Sequence, residues 1–408
     1  MDQETAKKLL VEGGTFVFLG VPQETQFGID MQCWNTDEDF RGIKMIPPGL
    51  HYVHYSAVSK ETGDISPRSG FMHYFHNKEF VVKMWDKKLE DISKDEISEE
   101  SIQRLKDNLL NIDKHLAPYP YEIWQKWKQL SSQITAELAK KLSPLNGFIR
   151  ASVDLLPMSD KDRPRGNKPK QSLEPDTESK EIQVQSTSGQ SNVKRIRRTT
   201  EEEKERAMLP DLKPAPGEAM RFTEIPQDKY PLGSTPGEIT KHYLDQTYSL
   251  ELMIAQHDEP LHIIGELQFA YLCFLIGHSL EAFEHWKNLV ILLCSCDQAI
   301  RKYRNIYFHF IKTIEIQIDE IPGDFLADIV MNKNVIYKKL RYFFRTAFVN
   351  KTNVDSQLLT MIERFIENLT LKLKWDFTGL NDCEEDEKPV LVLFDDFVAI
   401  DEHCILSL

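Results

Sequence analysis

Cations are what this chain is short of. Its 408 residues carry 50 Lys and Arg against 64 Asp and Glu, a formal net charge of −14. Affinity for nucleic acid rests on phosphate contacts and needs Lys and Arg gathered on one face. The whole molecule is therefore a poor nucleic-acid ligand, and its charge suits protein partners, basic ones above all. Cysteine is scarce as well. Cys33, Cys273, Cys294, Cys296, Cys383 and Cys404 form no C-x-x-C pair and no framework spacing. Most lie in apolar runs, where cysteine acts as a small hydrophobe, and that usage suits a reducing compartment. The longest apolar stretch, around residues 269–277, is far shorter than the ~20 residues that span a bilayer. The start, Met1-Asp2-Gln3-Glu4, is polar and acidic, unlike a secretory signal. The expected location is the cytoplasm and nucleus, with no membrane partner.

Catalytic signatures are missing too. There is no G-x-S-x-G, Walker loop, H-E-x-x-H or dinucleotide fingerprint, so no enzyme activity and no cofactor are expected. His51-x-x-His54 and His73-x-x-His76 suggest metal ligands, but residues i and i+3 of a strand point to opposite faces. Half-buried strand histidines are the plainer reading; one His from each pair would be needed for a metal-dependent hydrolase. Cys273, His278, Cys294 and Cys296 lack zinc spacing.

What is present is material for packed cores: 41% hydrophobic and 10% aromatic residues. Residues 15–86 break into short apolar runs at 15–20, 28–34, 42–46, 51–56, 70–75 and 80–85, separated by Val21-Pro22, Pro47-Pro48-Gly49, Thr62-Gly63-Asp64 and His76-Asn77-Lys78. Strands of that length suggest a mostly antiparallel β-sandwich or barrel. The period then lengthens. Ile97, Ile102, Leu105, Leu109, Leu110 and Ile112, and later Trp124, Trp127, Leu130, Ile134 and Leu138, predict helices that cover one face of the sheet. Residues 157–230 are rich in Pro, Ser, Lys and Glu and predict a disordered linker.

Residues 231–377 return to helical spacing. Thr235-Pro236-Gly237-Glu238 reads as a helix start. Helices follow at 261–276 with Gly277 as the C-cap, from Ser279, over 300–321 up to Pro322-Gly323, at 325–330, at 335–348, and through Leu358 to Leu373. Short connections predict an α–α superhelix or bundle. Glu266 and Gln268 fall inside an apolar helix. The plainer reading puts them at its exposed edge; if buried they must be paired, organising helix packing or a contact surface. The fold class is thus α+β with two domains, 1–156 and 231–377, followed by an acidic tail over 378–408. From Asp376 to Glu402 there are ten Asp and Glu against Lys388 alone, a charge of −9. Within that stretch Val390-Leu391-Val392-Leu393-Phe394 is a β-prone run with no strand partner in a helical domain.

The linker holds the one basic cluster, Lys194, Arg195, Arg197 and Arg198, a candidate nuclear-import signal that also reads as a solubilising patch. Ser159, Thr199 and Thr200 precede acidic residues and are candidate phosphorylation sites; phosphate at the last two would add negative charge beside the arginines. No heptad stripe is visible, and a monomer is expected.

Two longer motifs carry a resemblance. One is Phe27-Gly28-Ile29-Asp30 with Phe40-Arg41-Gly42-Ile43-Lys44-Met45-Ile46-Pro47-Pro48-Gly49-Leu50-His51-Tyr52-Val53-His54-Tyr55-Ser56. The other is Gly265-Glu266-Leu267-Gln268-Phe269, running to Gly277-His278-Ser279-Leu280-Glu281-Ala282-Phe283-Glu284-His285-Trp286-Lys287. With Glu320-Ile321-Pro322-Gly323-Asp324-Phe325 and Trp375-Asp376-Phe377, the chain resembles the A1-alpha-2-repression (AAR-two) splicing-factor family. The resemblance implies a β-rich domain before a helical one. It also implies a non-enzymatic assembly factor of the U5 spliceosomal particle. Such a factor would bind pre-mRNA-processing-splicing factor 8 at its RNase H-like and MPN-type domains and keep the particle's helicase from docking early. A fungal branch of the family adds a tail strand to that scaffold; here the role passes to residues 390–394 as a hypothesis. The alternative reading is a generic adaptor whose helices hold peptides in a basic or apolar groove.

Overall fold

Turn formers cut the first part of the chain into short strands. The computed structural model, which describes residues 2–156, 213–226, 229–321, 335–349 and 354–380, joins them into two five-stranded sheets. Helix α1 (Gln3–Glu12), capped by the Asp2 carboxylate, leads into β1 (Gly14–Leu19), β2 (Gln26–Ile29), β3 (Gln32–Asn35), β4 (Gly42–Ile46) and β5 (Gly49–Ser56). Then come β6 (Ser69–Phe75), β7 (Phe80–Asp86), β8 (Asp91–Ile92), β9 (Leu116–Pro118) and β10 (Ile149–Arg150). One sheet has the order β8-β7-β1-β4-β9 and the other β10-β6-β5-β2-β3. They remain two sheets and do not close into a barrel. Two pairings, β1 with β7 and β4 with β9, are parallel; the others are antiparallel. Phe16, Phe18, Phe27, Val53, Tyr55 and Phe71 fill the space between the sheets.

The single run expected over 28–34 is a hairpin. Asp30 turns the chain in the left-handed conformation, φ 55°, and Ile29 pairs with Gln32. Aspartate tolerates that region because its short polar side chain bonds locally.

Helices α2 (Glu99–Asp107) and α3 (Leu109–Ile112) lay Ile102, Leu105, Leu109 and Ile112 on Val17, Val82 and Leu116 of the first sheet. Helices α4 (Trp124–Leu130) and α5 (Ala136–Leu142) do something else. Trp127, Leu130, Leu138 and Leu142 share one core with Leu50 and Tyr52 of β5 and with Leu267, Tyr271 and Trp286 of the helical region. The reason lies in β5, which is buried on both faces. Val53 and Tyr55 point into the sandwich, while Leu50 and Tyr52, at alternate positions, point toward the helices.

The helical region runs α6 (Pro236–Leu244), α7 (Thr247–Ile254), α8 (His262–Leu275), α9 (Leu280–Cys294), α10 (Ala299–Lys302), α11 (Arg304–Glu320), α12 (Val335–Val349) and α13 (Ser356–Leu373). Thr235 and Glu238 close the expected capping box on α6, and Ser279 caps α9. The stripe over 300–321 is broken at Tyr303, whose backbone is not helical. After α8 the left-handed residue is His278, φ 56°, rather than Gly277. Gly277 is needed for a different reason. A Cβ there would lie 2.5 Å from both the Cys273 carbonyl and the Tyr52 hydroxyl, so glycine lets the end of α8 meet β5. The helix expected over 325–330 lies outside the described residues.

Residues 153–217 form a second compact unit. Its described part is an antiparallel bridge between Leu155 and Pro214. The Leu156 amide donates to the Lys213 carbonyl at 2.8 Å, and the Ala215 amide to Asp154 at 2.6 Å. Most of the expected linker, 157–212 with 227–228, lies outside the described residues. Its later part does not: residues 218–226 belong to the first unit and pack on the helices.

Candidate functional site

Glu266 and Gln268 do not sit at an exposed edge: both are fully buried on α8, and both are paired, as burial demands. Gln268 ties the helices to the turn between α4 and α5. Its carbonyl accepts from the Gln133 amide at 2.8 Å, and its NH2 donates to Ser132 Oγ at 3.1 Å and to Thr313 Oγ1 at 3.2 Å. Gly265 lets these backbones meet, since a Cβ there would stand 2.3 Å from the Gln133 carbonyl.

Glu266 holds the strap formed by residues 218–226. Oε1 accepts from the Thr223 amide at 2.7 Å and from His285 Nε2 at 2.8 Å. Oε2 accepts from the Thr223 hydroxyl at 2.7 Å and faces His257 Nε2 at 3.2 Å. Burial pushes the carboxyl up. Hydrogen bonds from His257, His285 and Thr223, with the charge of His285, outweigh burial and hold it down at about 2. Phe222 stacks on the His285 ring, with centroids 4.2 Å apart. Arg221 Nε donates to the Ser143 carbonyl at 2.6 Å, so the strap joins the end of α5 to α8 and α9.

The strand histidines serve the sandwich. His51 Nδ1 lies 2.7 Å from Asp30 Oδ2, and its Nε2 lies 2.7 Å from the Pro47 carbonyl. A carbonyl only accepts, so Nε2 donates to Pro47. Asp30 also accepts from the Tyr119 hydroxyl at 2.6 Å and the Tyr52 amide at 2.9 Å. His54 faces the Asp30 carbonyl, and burial, with the charge of Arg68, pushes its imidazole down to about 3. Both histidines are fully buried rather than half-buried, because β5 is covered on both sides. His73, the cross-strand partner of His51, turns to Glu79 at 2.9 Å. Among the described residues no three His, Cys, Asp or Glu side chains gather to hold a metal ion. Cys273, Cys294 and Cys296 are buried thiols whose pKa burial pushes up.

The root of the tail is a further built site. Trp375 and Phe377 are buried against Tyr337 and Phe344. Arg341 of α12 donates to the carbonyls of Asp376 at 3.2 Å and of Thr378 and Gly379 at 2.9 Å, and the Tyr337 hydroxyl donates to the Asp376 carbonyl. The folded body thus extends past residue 377. Neither the strap nor Arg341 stands out in the sequence. Their signals were slight: Met220, Phe222 and Ile225 in a polar stretch, and an arginine midway along an apolar helix.

Other anticipated sites lie outside the described residues: Val390, Leu391, Val392, Leu393 and Phe394; Lys194, Arg195, Arg197 and Arg198; Ser159, Thr199 and Thr200. A cavity of about 700 Å³ beside α6, α7 and α10 mixes Lys241, Arg301 and Lys302 with Glu238, Asp245 and Glu251, so it is neither basic nor apolar.

Comparison with known families matches residues 12–144 to the AAR2 N-terminal domain and 222–378 to the AAR2 C-terminal repeat region. The human Protein AAR2 homolog is 37% identical over 399 residues, 96% of each chain. This chain belongs to the AAR2 family. The mouse relative of the same name is also 37% identical over 96% of each chain. The Caenorhabditis elegans relative is 32% identical over 365 residues, 90% of this chain and 95% of its own. The second family match starts at Phe222 in the strap and ends at Thr378 on Arg341, so AAR2 membership covers both structures that close the helical unit. It supports a splicing-related role.

Proposed function

We propose that this AAR2-family protein is a non-enzymatic assembly factor of the U5 spliceosomal particle. It binds the RNase H-like and MPN-type domains of pre-mRNA-processing-splicing factor 8 and delays docking of the particle's helicase. The observation that carries this reading is family membership over 96% of the chain. The use made of the buried carboxylates supports the non-catalytic part. Asp30 and Glu266 are hydrogen-bonded to strand and strap, and neither is left to act on a substrate. The protein works as a monomer in cytoplasm and nucleus, touches neither nucleic acid nor membrane, and enters the nucleus through Lys194, Arg195, Arg197 and Arg198. Phosphate at Thr199 or Thr200 modulates that signal, and Ser159 is a further phosphorylation site. Residues 390–394 add a strand to the scaffold, taking affinity from main-chain hydrogen bonds and register from alternate side chains.

The test is co-elution of the full chain with the two scaffold domains, beside a chain ending at Leu380, which keeps the turn held by Arg341. Binding by the full chain with weaker binding by the shortened one supports both the function and the tail contact. No binding by either overturns the reading.

A further inference from the structure

The up-and-down course of the strands gathers four loops at one end of the two sheets. β1 runs antiparallel to β4 and parallel to β7, which puts loops 20–25, 36–41 and 87–90 together. β2 pairs antiparallel with β3 and β5, and β5 with β6, which brings loop 57–68 to the same end. Between these loops lies a pocket of about 740 Å³, a size usual for binding sites. Val21, Pro22, Ala57, Val58 and Trp85 give it an apolar lining. The loops are tied together by hydrogen bonds to main-chain carbonyls. The Glu24 amide donates to the Thr36 carbonyl at 2.8 Å, the Thr36 amide to the Thr25 carbonyl at 2.9 Å, and the Thr36 hydroxyl to the Pro22 carbonyl at 2.7 Å. The Ser66 amide donates to the Ala57 carbonyl at 2.8 Å and closes the loop after β5. Walls fixed in this way need little ordering when something enters.

Trp85 is itself 5% exposed and stands edge-on to Phe18 and Tyr55, with centroids 5.8 and 5.7 Å away. Its indole N–H is buried and has no hydrogen-bond partner among the described residues. A buried tryptophan N–H ordinarily finds an acceptor, so the pocket calls for one. Its charged residues are Arg41, Lys60 and Lys87 against Glu38, Glu61 and Glu90, which cancel. A phosphate or nucleotide would want cations in excess.

We propose that this pocket is a binding site for an extended peptide segment, with an apolar side chain packed on Trp85 and Val58 and a main-chain carbonyl accepting from the Trp85 indole N–H. A peptide supplies both needs at once, an apolar surface and a neutral acceptor, and loops on a rigid sheet are well placed to hold it. The inference goes beyond the assembly-factor reading and holds whichever protein supplies the segment.

Selection of a phage-displayed random peptide library on the full chain, followed by titration of the enriched peptides, tests it. The nitrogen–proton resonance of the Trp85 indole, assigned by its loss in Trp85→Phe, reports the site. The expected result is peptides rich in apolar residues that move this resonance saturably. Trp85→Phe keeps an aromatic ring and removes the donor, and should weaken them several-fold. Val58→Glu puts a charge into the apolar wall and should weaken them about tenfold or more. Urea midpoints of the two variants show whether the body is intact, and a several-fold loss in an intact Trp85→Phe chain suffices to support the site. Failure to enrich any peptide, or peptides that ignore both variants and leave the Trp85 resonance in place, overturns the proposal.

Discussion

At residue scale, two ionisable groups tie stability to acidity with signs that can be worked out. His54 is held neutral, with its folded value pushed from the ordinary 6.5 down to about 3. The unfolded chain takes the proton first. The stability His54 contributes is present above pH 6.5 and falls with acid toward pH 3, by up to about 1.4 kcal/mol per pH unit. Glu266 follows lower down. Its folded value of about 2 lies below the ordinary 4.5, so its contribution is present above pH 4.5 and is lost as pH falls through 2. Urea midpoints between pH 7 and pH 3 should decline in these two stages. Glu266→Gln replaces an acceptor of charged bonds with an amide that must point one N–H at a donor. It should cost about 3 kcal/mol near neutrality, remove the lower stage, and speed hydrogen exchange at the Thr223 amide. An unchanged midpoint would mean that the strap is held by Phe222 and Arg221 alone.

At the scale of elements, most strands and helices were legible because each displays a local signal: the aromatic run of β5 behind Pro47-Pro48, the 3.6-residue stripe in α9 and α13, the capping box at Thr235. What escaped was whatever depends on partners far apart in sequence. Glu266 meets Thr223, 43 positions away, and His285, 19 away; no local pattern encodes that meeting. The hairpin at Asp30 escaped because its turn is stabilised by Tyr119 and His51 from elsewhere, with no Asn-Gly to announce it. The placement of α4 and α5 escaped because an amphipathic helix states that it needs a cover, not which one. Gly265 offers a test at this scale. Gly265→Ala drives a methyl to 2.3 Å from the Gln133 carbonyl and 2.5 Å from a Leu138 methyl. Neither the turn nor α8 can retreat without opening the shared core, so a loss of about 3 kcal/mol or more is expected by thermal and urea unfolding. A loss below about 1 kcal/mol would show that this seam is softer than its packing.

For the whole molecule, the proposed division of labour is between a folded body and a tail that leaves it at Leu380. Val392→Pro removes an amide from the strand-forming run and fixes its φ, so scaffold affinity should fall while the urea midpoint of the body stays unchanged. Equal affinity of variant and parent in a titration would remove the tail from the contact.

The bridge between Leu155 and Pro214 has a consequence for how the molecule can be made. It brings the two ends of a 56-residue excursion, 157–212, side by side, while the core on either side is shared by α4 and α5 from one half and α8 and α9 from the other. The polypeptide is therefore a natural split protein. Residues 1–156 and 213–408, expressed as separate chains, should find each other through that core and elute as one species.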